Sequence, residues 1–220
     1  MRGLFITLEG PDGCGKTTQV PRIAAALLAA GIPHVLTREP GGSPIGEKIR
    51  ALLVDRTNTD LAPIAEVLLF MANRNQNIET IVKPGVGRGQ IVLSDRHRDS
   101  SVAFQGGGRE LGLEFVEALN VSACGEMLPD VTIYLDIPID VSVARARQTV
   151  QDANTDGQGD RFEQEQRAFH TRVYDTYQAL IRRYPDRFIV IDGTQSIPDV
   201  TRAIRAALAR RFPTQLGSLA

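Results

Sequence analysis

The stretch Phe5-Ile6-Thr7-Leu8-Glu9-Gly10-Pro11-Asp12-Gly13-Cys14-Gly15-Lys16-Thr17 decides the fold. Its first half is a short apolar run of strand character, and its second half matches G-x-x-x-x-G-K-[ST]. Beyond it Val20, Ile23, Ala24, Leu27 and Leu28 recur at helical spacing until Gly31 supplies a stop. A strand, a glycine-rich turn and a helix in that order form a phosphate-binding loop. Its glycines let backbone N–H groups wrap phosphate oxygens at a helix N-terminus, Lys16 reaches the β and γ phosphates, and the Thr17 hydroxyl can ligate Mg²⁺.

Outward from the loop, apolar β-rich runs stand at Leu4–Leu8, His34–Thr37, Ile91–Ser94, Val131–Leu135 and Phe188–Ile191, each followed by a segment of helical spacing. Strands apolar on both faces and separated by helices predict an α/β fold: five parallel strands flanked by helices on both faces. The 220 residues suit one domain, taken as 1–212, with 213–220 read as a frayed tail. Residues 148–160 are polar and carry three Asp and no Lys or Arg, which predicts a short lid. Pro21 inside the first helix predicts at most a mild kink.

Lys plus Arg number 25 against 26 Asp plus Glu, a formal charge of −1, so no global field favours nucleic acid or an anionic membrane surface. No run approaches the ~20 apolar residues that span a bilayer, and no signal peptide opens the chain, so the expected location is the cytoplasm. Cys14 and Cys124 are too few for a disulfide framework and are read as free thiols.

A phosphate loop alone does not separate switch, motor, transporter and kinase. The chain has no Asn-Lys-x-Asp guanine element and no Leu-Ser-Gly-Gly transporter signature, which favours a stand-alone enzyme. Strand Ile91–Ser94 runs into Asp95-Arg96-His97, placing a carboxylate and a guanidinium at the carboxyl edge of a parallel sheet, where doubly wound folds bind ligands. Asp95 can hold water on Mg²⁺, and Arg96 offers a planar fork for phosphate; His97 is read as a packed, hydrogen-bonded histidine. On the segment 61–83, Ile64, Val67, Leu68, Met71, Ile78 and Val82 form one apolar stripe. Phe70 falls off it, beside Glu66, Asn73, Arg74 and Asn77 on what reads as a polar flank.

The ordered elements Glu9–Thr18, Thr37–Gly42, Ala65–Arg74, Asp95–His97, Phe104–Gly108 and Asp160–Glu163 resemble the thymidylate kinase family, with a likeness running from about Phe5 to Ile204. The resemblance implies a P-loop kinase fold that usually forms homodimers, the reaction ATP + dTMP giving ADP + dTDP, Mg²⁺ as cofactor, and in-line phosphoryl transfer. It implies ATP held by Gly10, Pro11, Asp12, Gly13, Cys14, Gly15, Lys16, Thr17 and Thr18, with Thr17 and Asp95 at the metal. Phe70 resembles the platform that stacks thymine, Arg74 its pyrimidine-carbonyl partner, Asp12 the holder of the 3′-hydroxyl and Arg96 the clamp on the acceptor phosphate. Phe104 resembles the aromatic that crowds a ribose 2′-hydroxyl. Ser101 and Gln105 would line the same pocket, and Arg38 would lie near the acceptor phosphate. Members with Gly at the position of Gly13 use basic lid residues to supply positive charge. Because this lid has none, one or more of the flanking Arg145, Arg147 and Arg161 is expected to reach the transferring group, Arg147 and Arg161 joining Lys16 and Arg96 as catalytic candidates. A related kinase with another acceptor, and a nucleotide-binding switch, remain as alternatives.

Overall fold

The protein is seen in a computed structural model that describes residues 2–125, 127–152, 160–162 and 165–219, with 149–152 as backbone. Five short strands, β1 (Phe5–Glu9), β2 (His34–Arg38), β3 (Ile91–Asp95), β4 (Val131–Asp136) and β5 (Phe188–Asp192), form one parallel sheet in the order β2-β3-β1-β4-β5. The register pairs Leu8 with Asp95 on one side and with Ile133 on the other, so β1 is central and the loop after it opens at the carboxyl edge.

Side-chain alternation splits the strands between two layers. Ile6, Leu8, Leu93, Ile133 and Leu135 face α1 (Lys16–Ala29) and α9 (Ile197–Arg211), whose Ile23, Leu27, Ile204 and Leu208 complete that core. On the other face Tyr134 and Phe188 meet α3 (Pro63–Asn77), α6 (Leu113–Cys124) and α8 (Arg167–Arg183), together with α5 (Arg98–Ser101) and the π-helical stretch Val102–Gly108 that continues it. The remaining helices are α2 (Pro44–Val54), α4 (Lys83–Gly87), which a π-helical turn Ile78–Val82 joins to α3, α7 (Ile139–Asp152) and α10 (Pro213–Leu216). Helix α1 runs unbroken through Pro21. Among the described residues no helix is long and apolar enough to cross a membrane.

Three expectations are corrected. Residues 213–219 are not frayed: α10 and the turn Gly217–Leu219 lay Leu216 and Leu219, both buried, onto α9, and Arg205 Nε donates to the Leu219 carbonyl at 2.9 Å. The expected lid begins as helix, because α7 continues to Asp152; 153–159 lie outside the described residues. On the segment 61–83, Val67, Met71, Ile78 and Val82 of the apolar stripe are buried as expected, but the polar flank is buried as well and two stripe residues are not. Glu66, Asn73, Arg74 and Asn77 are inside, whereas Ile64 and Leu68 are 45% and 50% exposed. Periodicity finds the apolar face but not that a polar face can be buried too, against a protein surface that is itself polar.

Candidate active site

The loop after β1 and the N-terminus of α1 form the floor of a cavity of about 1190 Å³. Gly13 has φ +72°, and a Cβ there would stand 2.6 Å from the Ser142 carbonyl and 2.8 Å from the Ala146 nitrogen, so α7 packs too close for a side chain. Helix α1 has no side-chain cap, which leaves its first backbone N–H groups as anion donors. Lys16, buried, folds its Nζ over the loop onto the carbonyls of Gly10 (3.0 Å) and Pro11 (2.9 Å) and onto Cys14 Sγ (3.3 Å).

Arg96 follows β3 with φ +68°, a left-handed conformation uncommon outside glycine, and its backbone nitrogen still donates to Leu8. That turn carries its guanidinium over the loop. Nη1 donates to the Gly10 carbonyl and to Ser100 Oγ, both at 3.0 Å, Nη2 pairs with Asp12, and the group lies 4.9 Å over the Phe104 ring. Burial opposes its charge, but Asp12, then Tyr177, Asp95 and Glu9, raise its pKa. Arg38, paired with Glu47 at 2.9 Å, and Arg50, donating to the Pro40 carbonyl at 2.9 Å, line the same wall. Asp95 and Thr17 line it too, and the Asp95 carboxylate accepts no hydrogen bond from the described residues.

One end of the cavity is aromatic. Phe70, Phe104 and Phe162 line it, with Phe162 edge-on to Phe70 at 6.0 Å and to Phe104 at 6.2 Å. Arg74 stands one turn past Phe70, fully buried. Its Nε donates to Glu39 (2.8 Å), Nη1 to Asn120 (2.6 Å) and to Met71 Sδ (3.8 Å), and Nη2 to the His97 carbonyl (2.9 Å) and Ser101 Oγ (3.0 Å). Only the long contact to sulfur is weak. Glu39 also takes His97 Nδ1 at 2.9 Å and Asn77 at 3.1 Å. Burial alone would raise the Glu39 pKa; Arg74 and His97 overcome it and bring it to about 2. Burial would likewise lower His97, and Glu39 instead raises it to about 9. Gln105, 1% exposed, gives its Nε2 to Glu66 at 2.8 Å, while its Oε1 has no partner among the described residues.

The other end is largely aliphatic: Val20, Pro21, Ile197 and Val200 line it with Gly193 and Gln195. Arg145 of α7 stands there, its Cβ 3.0 Å from where a Gly13 Cβ would be, and its Nη1 donates to the Gly193 carbonyl at 2.9 Å.

Of the residues named from sequence, the cavity wall gathers Asp12, Gly13, Cys14, Gly15, Lys16, Thr17, Thr18, Arg38, Phe70, Arg74, Asp95, Arg96, Phe104 and Gln105. It does not gather Arg147, which is exposed on α7, nor Arg161, whose Nη2 is held by Glu66 at 2.5 Å and whose Nε donates to the Leu53 carbonyl at 3.2 Å. Ser101 lies behind Arg74 rather than on the wall, and Gly10 and Pro11 offer carbonyls to Lys16 and Arg96 from beneath it. Sequence reasoning missed Arg50, one of two cations beside the glycine turn 41–42, and Phe162, whose place in the Asp160–Glu163 motif was the available signal.

A cavity that joins an aromatic wall, a largely aliphatic wall and the cations Lys16, Arg38, Arg50 and Arg96 suits transfer of a phosphoryl group from one nucleotide to another. Fold and site together define a P-loop kinase, a phosphotransferase. The thymidylate kinase family model matches residues 8–204. The chain is 43% identical to the thymidylate kinase of Lactobacillus helveticus (strain DPC 4571), over 97% of this chain and 99% of that one. It is 43% identical to that of Trichlorobacter lovleyi over 95% and 98%, and 41% identical to that of Geobacter sp. (strain M21) over 96% and 93%. The chain belongs to the thymidylate kinase family.

Proposed function

We propose that the protein transfers the γ-phosphoryl group of ATP to dTMP, giving ADP and dTDP, with Mg²⁺ as cofactor and as a homodimer. The observation that carries the acceptor is that Phe70, Arg74 and Gln105 line one cavity, Arg74 with one N–H engaged only by the Met71 sulfur and Gln105 with an Oε1 that has no partner among the described residues. A donor, an acceptor and an aromatic ring lining one cavity suit a pyrimidine that presents a carbonyl next to an N–H, as thymine does.

In this reading Phe70 stacks the base, Phe104 crowds the sugar position where a ribose would carry its 2′-hydroxyl, and Asp12 accepts from the 3′-hydroxyl. Arg38, Arg50 and Arg96 hold the acceptor phosphate. An oxygen of that phosphate attacks the γ-phosphorus in line, its bond to phosphorus forming as the bond to the β-bridging oxygen breaks, and the electron pair leaves with ADP. No general base is needed. Lys16 exchanges its loop carbonyls for the β and γ phosphates, and Arg96, between loop and acceptor, stabilises charge on the group in transit. Thr17 and Asp95 fit a magnesium ion, since one hydroxyl and one uncommitted carboxylate on a phosphate-binding wall suit an ion that keeps most of its coordination for phosphate and water. Bound there, Mg²⁺ would neutralise phosphate charge. Arg145, beside Gly13, replaces Arg147 and Arg161 as the lid-margin cation that meets ATP. Ile64 and Leu68 of α3 and Phe115 and Val121 of α6, all exposed on packed helices, support the dimer.

ADP release from ATP and Mg²⁺ with dTMP, dUMP, dCMP, dGMP and AMP at equal concentration tests the reading. Preference for dTMP, with turnover falling about 10²–10³-fold in Arg96→Ala, is expected. Equal rates with a purine monophosphate would contradict it.

A further inference from the structure

We propose that Glu66 is a positioning residue that sets the hydrogen-bonding sense of the base pocket by fixing the amide of Gln105; the inference rests on the dTMP reading above. Glu66 stands on α3 one turn before Phe70 and two before Arg74, fully buried. Its carboxylate takes Gln105 Nε2 at 2.8 Å, while Arg109, with Nε at 3.2 Å, and Arg161, at 2.5 Å, hold it from other directions. An ionised carboxylate accepts hydrogen bonds and never donates. Only the amide nitrogen of Gln105 can therefore face it, and Oε1 is left buried, without a partner among the described residues, on a side chain that lines the cavity.

A buried acceptor without a donor is costly and is relieved by a ligand that brings one. Thymine has a single ring donor, N3–H, with carbonyls on either side of it. Cytosine presents its N3 as an acceptor at the same place and sets oxygen against nitrogen lone pair. A pocket whose amide cannot turn over thus accepts one pyrimidine and refuses the other. The same carboxylate holds Arg161, so the chain just past the expected lid is pinned to the group that orients the base reader. That accounts for Arg161 lying away from the phosphate site.

Replacement by an amide, Glu66→Gln, removes the constraint, because the new side chain can accept from Gln105 Nε2 or donate to Oε1. The test compares kcat/KM for dTMP and dCMP in four proteins: wild type, Glu66→Gln, Gln105→Leu and the double variant. The wild-type preference for dTMP is expected to fall at least about tenfold in Glu66→Gln, and the same change is expected to have no effect on the preference in the Gln105→Leu background. A folded Glu66→Gln enzyme whose preference stays within about threefold of wild type would overturn the proposal. So would an equal fall in both backgrounds, the mark of a general distortion. A measurement that does not depend on that variant folding uses dTMP methylated at N3: wild type is expected to turn it over far more slowly than dTMP, and Gln105→Leu to lose most of that difference. Equal turnover of the two by wild type would overturn the proposal. A wild type that prefers no pyrimidine at all would instead remove the dTMP reading beneath it.

Discussion

The two ends of the cavity are built to different standards. At the aromatic end the wall residues rest on buried, charged and mutually bonded side chains: Arg74 on Glu39, Asn120 and Ser101, Glu39 on His97 and Asn77, Gln105 on Glu66. At the aliphatic end Val20, Pro21, Ile197 and Val200 offer apolar surface, with Gln195 beside them and the Gly193 carbonyl already taken by Arg145. A rigid polar wall discriminates, because a wrong ligand leaves its buried groups unpaired; an apolar slot tolerates shape changes at a cost of ~1–3 kcal/mol. On the proposed reading, the acceptor end is expected to be selective and the donor end permissive.

The largest way to break this contrast is to neutralise the hub of the polar wall. Glu39→Gln leaves Arg74 and His97 buried without their counter-charge, and a loss of about 3–5 kcal/mol in urea unfolding is expected, together with a raised KM for dTMP. If stability is unchanged, the polar wall is not the preorganised element described. A narrower change removes only the stacking face: Phe70→Ala is expected to raise the dTMP KM by ~10–100-fold, as loss of a base–aromatic contact does, while the ATP KM moves little. A comparable rise in both would mean that the two ends are not independent.

The smallest effect is one of pH. His97 titrates near 9 in the folded protein against an ordinary value of 6.5, so its contribution is complete below about 6.5 and is lost as pH rises through about 9. Glu39, lowered to about 2, contributes above its ordinary 4.5 and fades only as pH falls toward 2. Wild-type Tm is expected to decline from pH ~6.5 to ~9.5 more than that of His97→Gln, measured by thermal scans of both proteins. An identical slope would remove His97 from the network.

Sequence made the frame legible and left its polar interior opaque. The five strands start and stop within one or two residues of the apolar runs, since runs such as Ile91–Ser94, apolar on both faces, have no reading but a covered parallel strand. Phe70 announced itself by standing off its stripe. Yet the same reasoning leaves Glu66, Asn73 and Asn77 simply on a polar flank, because helical spacing cannot show that another polar surface waits opposite to bury them. The π-helical stretch Val102–Gly108, which carries Phe104 and Gln105, leaves no period in the sequence; its glycines signal it only afterwards, Gly107 by a Cβ position 2.0 Å from Thr176 Oγ1. Leu216 and Leu219, spaced i, i+3, carry a docking signal that reading 213–220 as a frayed tail leaves unused.

Selectivity at the two ends is measured most directly by one matrix of turnover: dTMP, dUMP, dCMP and dGMP as acceptors with ATP, and ATP, dATP, GTP and CTP as donors with dTMP, each as kcat/KM. The contrast between the ends predicts a spread above about 100-fold across the acceptors and below about 10-fold across the donors. A donor spread as wide as the acceptor spread would contradict it.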